Sequence, residues 1–188
     1  MISASDFTTA LNFSHAPDGE LQEVLQGLKH GDFSRLEPQF TPDYTEVDAR
    51  CRVIDWYEQG AFENEPQALV EALTCACFLG RTGIAEYLLQ RGVDVTAGTG
   101  TGLSAFHWAA NRGQLATVKL LLKYNAPPEM KNSYDGTVLS GTLWAALHER
   151  LRPDHWPIVE ALIAAGAQVE PEWQPEIEEL RRRSTRLA

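Results

Sequence analysis

Four groups of residues in this sequence have the types and spacing to do chemistry. Gly98-x-Gly100-x-Gly102 stands just ahead of a helix start, and glycine-rich turns of that kind bare backbone amides that can cradle a phosphate. Ser104 and His107, three apart, could pair as nucleophile and base. Cys75-x-Cys77 could be a redox pair, and His148, Glu149 and His155 a metal set.

Each falls short of its chemistry. A dinucleotide site needs G-x-G-x-x-G after a β-strand; here the spacing is G-x-G-x-G, and Val93-Asp94-Val95-Thr96 follows directly on a helix end. A phosphate loop needs Gly-Lys-Ser/Thr, which is missing. Ser104 and His107 have no third group in sight to orient the ring. His148 and Glu149 lack the H-E-x-x-H spacing that places two imidazoles on one helix face. C-x-C is a weaker redox signal than C-x-x-C. No cofactor and no metal is expected.

Composition narrows the class further. The 188 residues are 44% hydrophobic and 22% charged, an ordinary globular balance. A chain of this length buries roughly 70% of its unfolded surface and needs no covalent or metal staple. The formal net charge of -10 repels the phosphates that supply most nucleic-acid affinity, so no nucleic-acid partner is expected. Arg181, Arg182, Arg183 and Arg186 follow Glu176, Glu178 and Glu179 and read as a solvated helix end that complements the macrodipole. Cys51, Cys75 and Cys77, an odd and sparse set, favour reduced thiols in a cytoplasmic protein. The opening MISASDFTTALNF lacks a basic segment followed by a long apolar one, so neither a signal peptide nor a membrane span is expected.

The elements that must position these residues repeat. Leu73 to Gly80, then Tyr87-Leu88-Leu89 and Gly92-Val93, align with Phe106 to Gly113, then Leu120-Leu121-Leu122 and Asn125-Ala126, every pair 33 apart. Each unit reads as two short helices. The first carries small residues (Ala76, Cys77; Ala109, Ala110) that let backbones approach, and the second an apolar stripe (Ile84, Tyr87, Leu88; Val118, Leu121, Leu122). Gly80 and Gly113 end the first helices and Gly92 and Asn125 the second, where the left-handed conformation is needed.

A third unit departs from the period. It begins at Asp135-Gly136-Thr137, with Leu143-Trp144-Ala145-Ala146 as first helix and Ile158 to Ile163, then Gly166-Ala167, as second. The glycine-to-alanine distance is nine residues (136 to 145) against seven (102 to 109), and the next is seventeen (145 to 162) against twelve (109 to 121). That places two extra residues in the entry and five between the helices, with Asp154 as N-cap and Pro157 in the first turn. Upstream, Arg52 to Phe62 ends like a second helix, with Trp56-Tyr57 and Gly60-Ala61 in the double-leucine and Gly-Ala places, and Thr45-Glu46-Val47-Asp48 is a capping box.

"SAFHWAANRGQLATVKLLLKYNAP" (104–127) resembles the ankyrin repeat, whose pattern is T-P-L-H-x-A-A, then G, then V-x-x-L-L, then G-A. The resemblance implies an all-α solenoid of ankyrin type with short hairpin fingers and little strand. It covers about residues 63–170, with a degenerate helical cap over 1–62 and a capping helix over 171–188. Ser104 and His107 would then brace a turn, and the glycines before them would shape a finger, with positive backbone angles at Gly100 or Gly102.

The resemblance also implies a function and a surface. The position after the family's histidine is Trp108, with Cys75 in the upstream repeat and, by the A-A pair, Trp144 in the third. Trp108 and Trp144, with Phe78, Asn111, Arg112 and the finger residue Thr101, form the expected partner-binding patch; aromatic and arginine side chains dominate such surfaces. The opposing expectation is that the lengthened third finger folds over the tryptophans. The insertion Arg150–Pro157, carrying His155 and Trp156, is a second candidate. The expected protein is a monomeric, non-catalytic interaction module for a basic or mixed-charge protein partner, an adaptor, inhibitor or immunity-type protein. The alternative is a small-molecule or metal-dependent enzyme or sensor using the His, Cys and Trp residues.

Overall fold

A computed structural model describes residues 52–186 and, upstream of them, residues 23, 24, 26, 27 and 32. The capping box at 45–48 lies outside the described residues. The helices are α1 (Arg52–Glu58), α2 (Pro66–Leu79), α3 (Thr82–Gln90), α4 (Ala105–Asn111), α5 (Leu115–Lys123), α6 (Val138–Trp144), α7 (His155–Ala164) and α8 (Gln174–Thr185). A π-helical turn, Ala145–Glu149, continues α6, and a 3-10 turn, Pro171–Trp173, leads into α8. Among the described residues the only β pairing is an isolated bridge between Lys131 and Thr137.

Backbone chemistry ends the helices where the sequence placed glycine or asparagine. Gly60, Gly92, Asn125 and Gly166 all have positive φ. At each of the four the residue itself bonds the carbonyl three back and the next residue the carbonyl five back, as in Asn125 to Leu122 and Ala126 to Leu121. This is the double closure of a left-handed helix end. Its apolar follower, Val93, Ala126 or Ala167, is buried. Gly80 and Gly113 close α2 and α4 in the same way.

Successive first helices (α2, α4, α6) pack side by side, as do the second helices (α3, α5, α7), giving two layers. Ala72, Ala76, Ala109 and Ala110 are fully buried where the backbones meet, and Phe106, Ile84, Leu88, Leu121, Leu143 and Ile158 fill the space between layers. Deleting one of these large side chains costs about 2–5 kcal/mol. At the C-terminal end α8 closes the stack through fully buried Leu180, with Ile177 and Trp173 beside it.

The third repeat corrects the expected register. Ser104 and Thr137, 33 apart, both cap their helices by accepting the amide three residues on, from His107 and Ser140. The entry therefore carries no extra residues. The second helices end at Asn125 and Gly166, 41 apart, so 41 less 33 leaves eight added residues, all after the cap. They lengthen the first helix through the π turn, closed by Arg150 to Ala145, and then form a loop to His155. Asp154 precedes α7 without a side-chain cap bond; its own residue is already helical, so its carboxylate is not set to receive the amides.

Candidate protein-interaction surface

The first finger, 94–104, is shaped by few groups. Gly102 takes φ +78°, while Gly100 and Gly98 do not enter the left-handed region. The finger is tied to α2 at two points: Gln67 donates to the Gly98 carbonyl at 3.1 Å, and the Gly100 amide donates to Glu71 Oε1 at 2.6 Å. The Gly102 carbonyl accepts from the Ser133 amide of the next finger at 2.9 Å. Glu71 is fully buried, and among the described residues no group meets its Oε2 at full hydrogen-bond geometry. Burial pushes its carboxyl above the usual range, opposed by the Gly100 amide and Gln67.

Ser104 and His107 form a brace inside the stack. His107 Nε2 faces the Gly136 carbonyl at 3.2 Å, which can only accept, so the hydrogen is on Nε2. Nδ1 then accepts from the Ser104 hydroxyl at 2.8 Å. The ring is fully buried, and burial lowers its pKa. A backbone carbonyl of the next repeat, rather than a carboxylate, orients it. Among the described residues neither Cys75 nor Cys77 is in a disulfide; both are buried, and burial drives the Cys77 thiol upward. Among the described residues no group of three His, Cys, Asp or Glu could hold a metal ion.

Trp108 stands at the centre of the expected patch. Its indole N–H donates to Thr101 Oγ1 at 3.1 Å, fixing the ring to the finger. It meets Phe78 edge-on at 5.2 Å, and the Arg112 guanidinium lies 4.5 Å over the Phe78 ring. Thr101, Trp108, Phe78 and Arg112 are thus one contact chain across two repeats.

Trp144 and Cys75 need correcting. Because the Ser104–Thr137 period is 33, the equivalent of Trp108 is Gly141, and Trp144 belongs with Asn111 and Phe78 at 111 and 78. The A-A pair misled the alignment, since Ala145-Ala146 lie in the added π turn. A Cβ at Gly141 would come 3.2 Å from Asn111 Oδ1, a buried atom with no hydrogen-bond partner among the described residues. Cys75 is interior rather than exposed: Ala72 to Cys77 are six consecutive buried residues, more than a full helical turn, so every face of α2 is covered there.

Trp144 is 54% exposed, so the third finger does not fold over it; its ring tilts against His148 at 5.8 Å. Tyr134, 77% exposed at the second fingertip, was missed. The period could have found it, since it lies 33 after Thr101. Of the insertion residues, His155 is corrected from surface to interior. It is fully buried, Nδ1 accepts the Arg152 amide at 3.1 Å, and Nε2 donates to the Asn111 carbonyl at 3.1 Å. Trp156 is half-buried beneath the Arg181 guanidinium, 6.0 Å from its ring. Between the fingers lies an open hollow of about 210 Å³, lined by Thr99, Gly102, Ser104, Met130 and Asn132 among others.

Two layers of paired helices at a 33-residue period, with fingers joining them, define a helical-repeat solenoid. The family model for ankyrin repeats, in three copies, matches residues 73–172, more than half of the chain, and the chain belongs to that family. Ankyrin repeats are protein-interaction modules. The sequence is similar to palmitoyltransferase Hip14 of Drosophila melanogaster, 29% identical over 123 residues, 62% of this chain and 19% of that protein. It is also similar to the E3 ubiquitin-protein ligase Ufd4 of the same organism, 31% identical over 100 residues, 53% of this chain and 3% of that one. The chain thus spans less than a fifth of either relative. Among the described residues no helix is long and apolar enough to cross a membrane.

Proposed function

We propose that the chain is a non-catalytic module that occupies a protein partner, as an adaptor or inhibitor, and that it does so as a cytoplasmic monomer. The partner lies against the first helices and fingertips, over Thr101, Trp108, Arg112, Trp144 and Tyr134. The observation that carries this reading is the exposure of two large apolar side chains, Trp144 and Tyr134, on a stack whose other large apolar groups are mostly packed away. Exposed aromatics beside arginine are the composition of binding hot spots. A net charge of -10 speeds encounter with a basic or mixed-charge partner.

The test compares proteins captured by the tagged chain and by its Trp144→Ala/Tyr134→Ala variant, with melting temperature measured on both. The reading expects a captured protein to be lost while the melting temperature holds. An unchanged captured set would refute it.

A further inference from the structure

One part of this acidic molecule carries the opposite sign. Arg112, at the end of α4, and Arg150 and Arg152, in the added loop, converge: the Arg152 guanidinium reaches the carbonyl of Asn111, next to Arg112, and that of Arg150, and both neighbouring arginines oppose its charge. Among the described residues no carboxylate lies within ion-pairing distance of any of them. Glu149 bears on Arg152 without pairing with it. Arg152 has a use in the fold, since its Nη1 donates to the Asn111 carbonyl at 3.2 Å and the Arg150 carbonyl at 3.3 Å. Its methylenes pass over Gly113, where a Cβ would come within 2.9 Å of Cδ. Among the described residues the Arg112 and Arg150 guanidinium groups make no such bonds.

Three like charges side by side disfavour the folded state unless something meets them. Their surroundings are aromatic. Arg112 lies over the Phe78 ring, Phe78 meets Trp108, and exposed Trp144 lies on the helix that runs into the arginine loop. We infer that this edge, where the first helices of the repeats end, binds an acidic segment of a partner protein, its carboxylates on Arg112, Arg150 and Arg152 and an apolar side chain against Trp108 and Trp144.

Guanidinium forks suit carboxylates in pairs, and the adjoining rings suit an apolar neighbour in the same segment. The charge pattern favours a short acidic peptide over nucleic acid. A longer polyanion would run off three arginines onto a surface that repels it. A partner of mixed charge meets both the local and the overall field.

This inference rests on the interaction reading above, and the two can fail separately. The purified chain and its Arg112→Gln/Arg150→Gln variant, which leaves the Arg152 bonds in place, are titrated into three fluorescein-labelled probes at low and moderate salt. These are a Glu/Asp-rich peptide containing one tryptophan, the same peptide with Gln/Asn for every acid, and a single-stranded oligodeoxynucleotide. The acidic peptide is expected to bind, to weaken with salt, and to bind the variant about tenfold less, as for the loss of two partly exposed charge pairs. The amide peptide should bind far more weakly. Absence of acidic-peptide binding, equal binding by the variant, equal binding of the amide peptide, or tighter binding of the oligonucleotide would each overturn the inference. If one of these occurs while Trp144→Ala/Tyr134→Ala still abolishes capture of a protein, the interaction reading survives and the acidic segment does not.

Discussion

His155 donates its Nε2 hydrogen to the Asn111 carbonyl at 3.1 Å, and Gln114, in the repeat before, donates its amide hydrogen to the Phe78 carbonyl at 3.3 Å. Phe78 and Asn111 are 33 apart, and Gln114 and His155 both follow the turn between helices. Two different side chains satisfy the same orphan carbonyl at a first-helix end. His155→Ala should therefore destabilise the chain by about 2 kcal/mol or more, from a lost buried hydrogen bond and the cavity beside it. His155→Gln should recover part of that loss, which denaturant unfolding of the two variants can measure.

The two buried histidines set a pH dependence. Burial lowers the pKa of His107 and His155 below the usual 6.5, partly opposed by the carbonyls of Gly136 and Asn111. Depressed values mean that the unfolded chain takes up protons first as pH falls. The contribution is complete above 6.5 and is lost as pH drops through the folded values. Unfolding free energy should decline on acidification from pH 7, and less so in His107→Gln than in the parent.

Glu71 acts with the opposite sign. Its raised pKa means that stability from this group is complete below the usual 4.5 and is lost as pH rises through the folded value. The Glu71→Gln variant keeps a side-chain oxygen to accept the Gly100 amide and removes the titration. Its stability relative to the parent should rise between acid and neutral pH; a constant difference would show that the carboxyl does not titrate across that range.

The first finger distinguishes its glycines. Gly102→Ala must hold a φ of +78° and set its Cβ 3.1 Å from the Ser133 Cβ, and should lose about 1 kcal/mol or more. Gly98 has open space around it and no positive φ, so Gly98→Ala should leave the melting temperature nearly unchanged. Thermal unfolding of both compares them directly.

Much of this fold was legible because backbone conformation selects few residue types. Gly80, Gly92, Gly113, Asn125 and Gly166 announce helix ends, and the 33-residue spacing repeats them. The third repeat was not fully legible, because Ala145-Ala146 imitate the small-residue pair of a first helix while sitting in a π turn that the period does not contain. Reading the sequence through the ankyrin resemblance put Trp108, Phe78, Thr101 and Arg112 on one patch, and the four are in contact in the structure. It misplaced His155, since a histidine in a polar loop looks the same whether it faces solvent or caps a carbonyl 44 residues away. Tyr134 was overlooked because its neighbours, Ser133, Asp135 and Gly136, read only as a turn.

Trp144 tests the central claim most directly, because it is large and exposed, and among the described residues its indole N–H bonds to no other group. A partner identified by capture is titrated against the parent and Trp144→Ala while both are melted in parallel. The claim predicts weakening by about 2 kcal/mol, as at a hot-spot aromatic, with a melting temperature shift near zero. Unchanged affinity with a lowered melting temperature would contradict it and make Trp144 a packing residue.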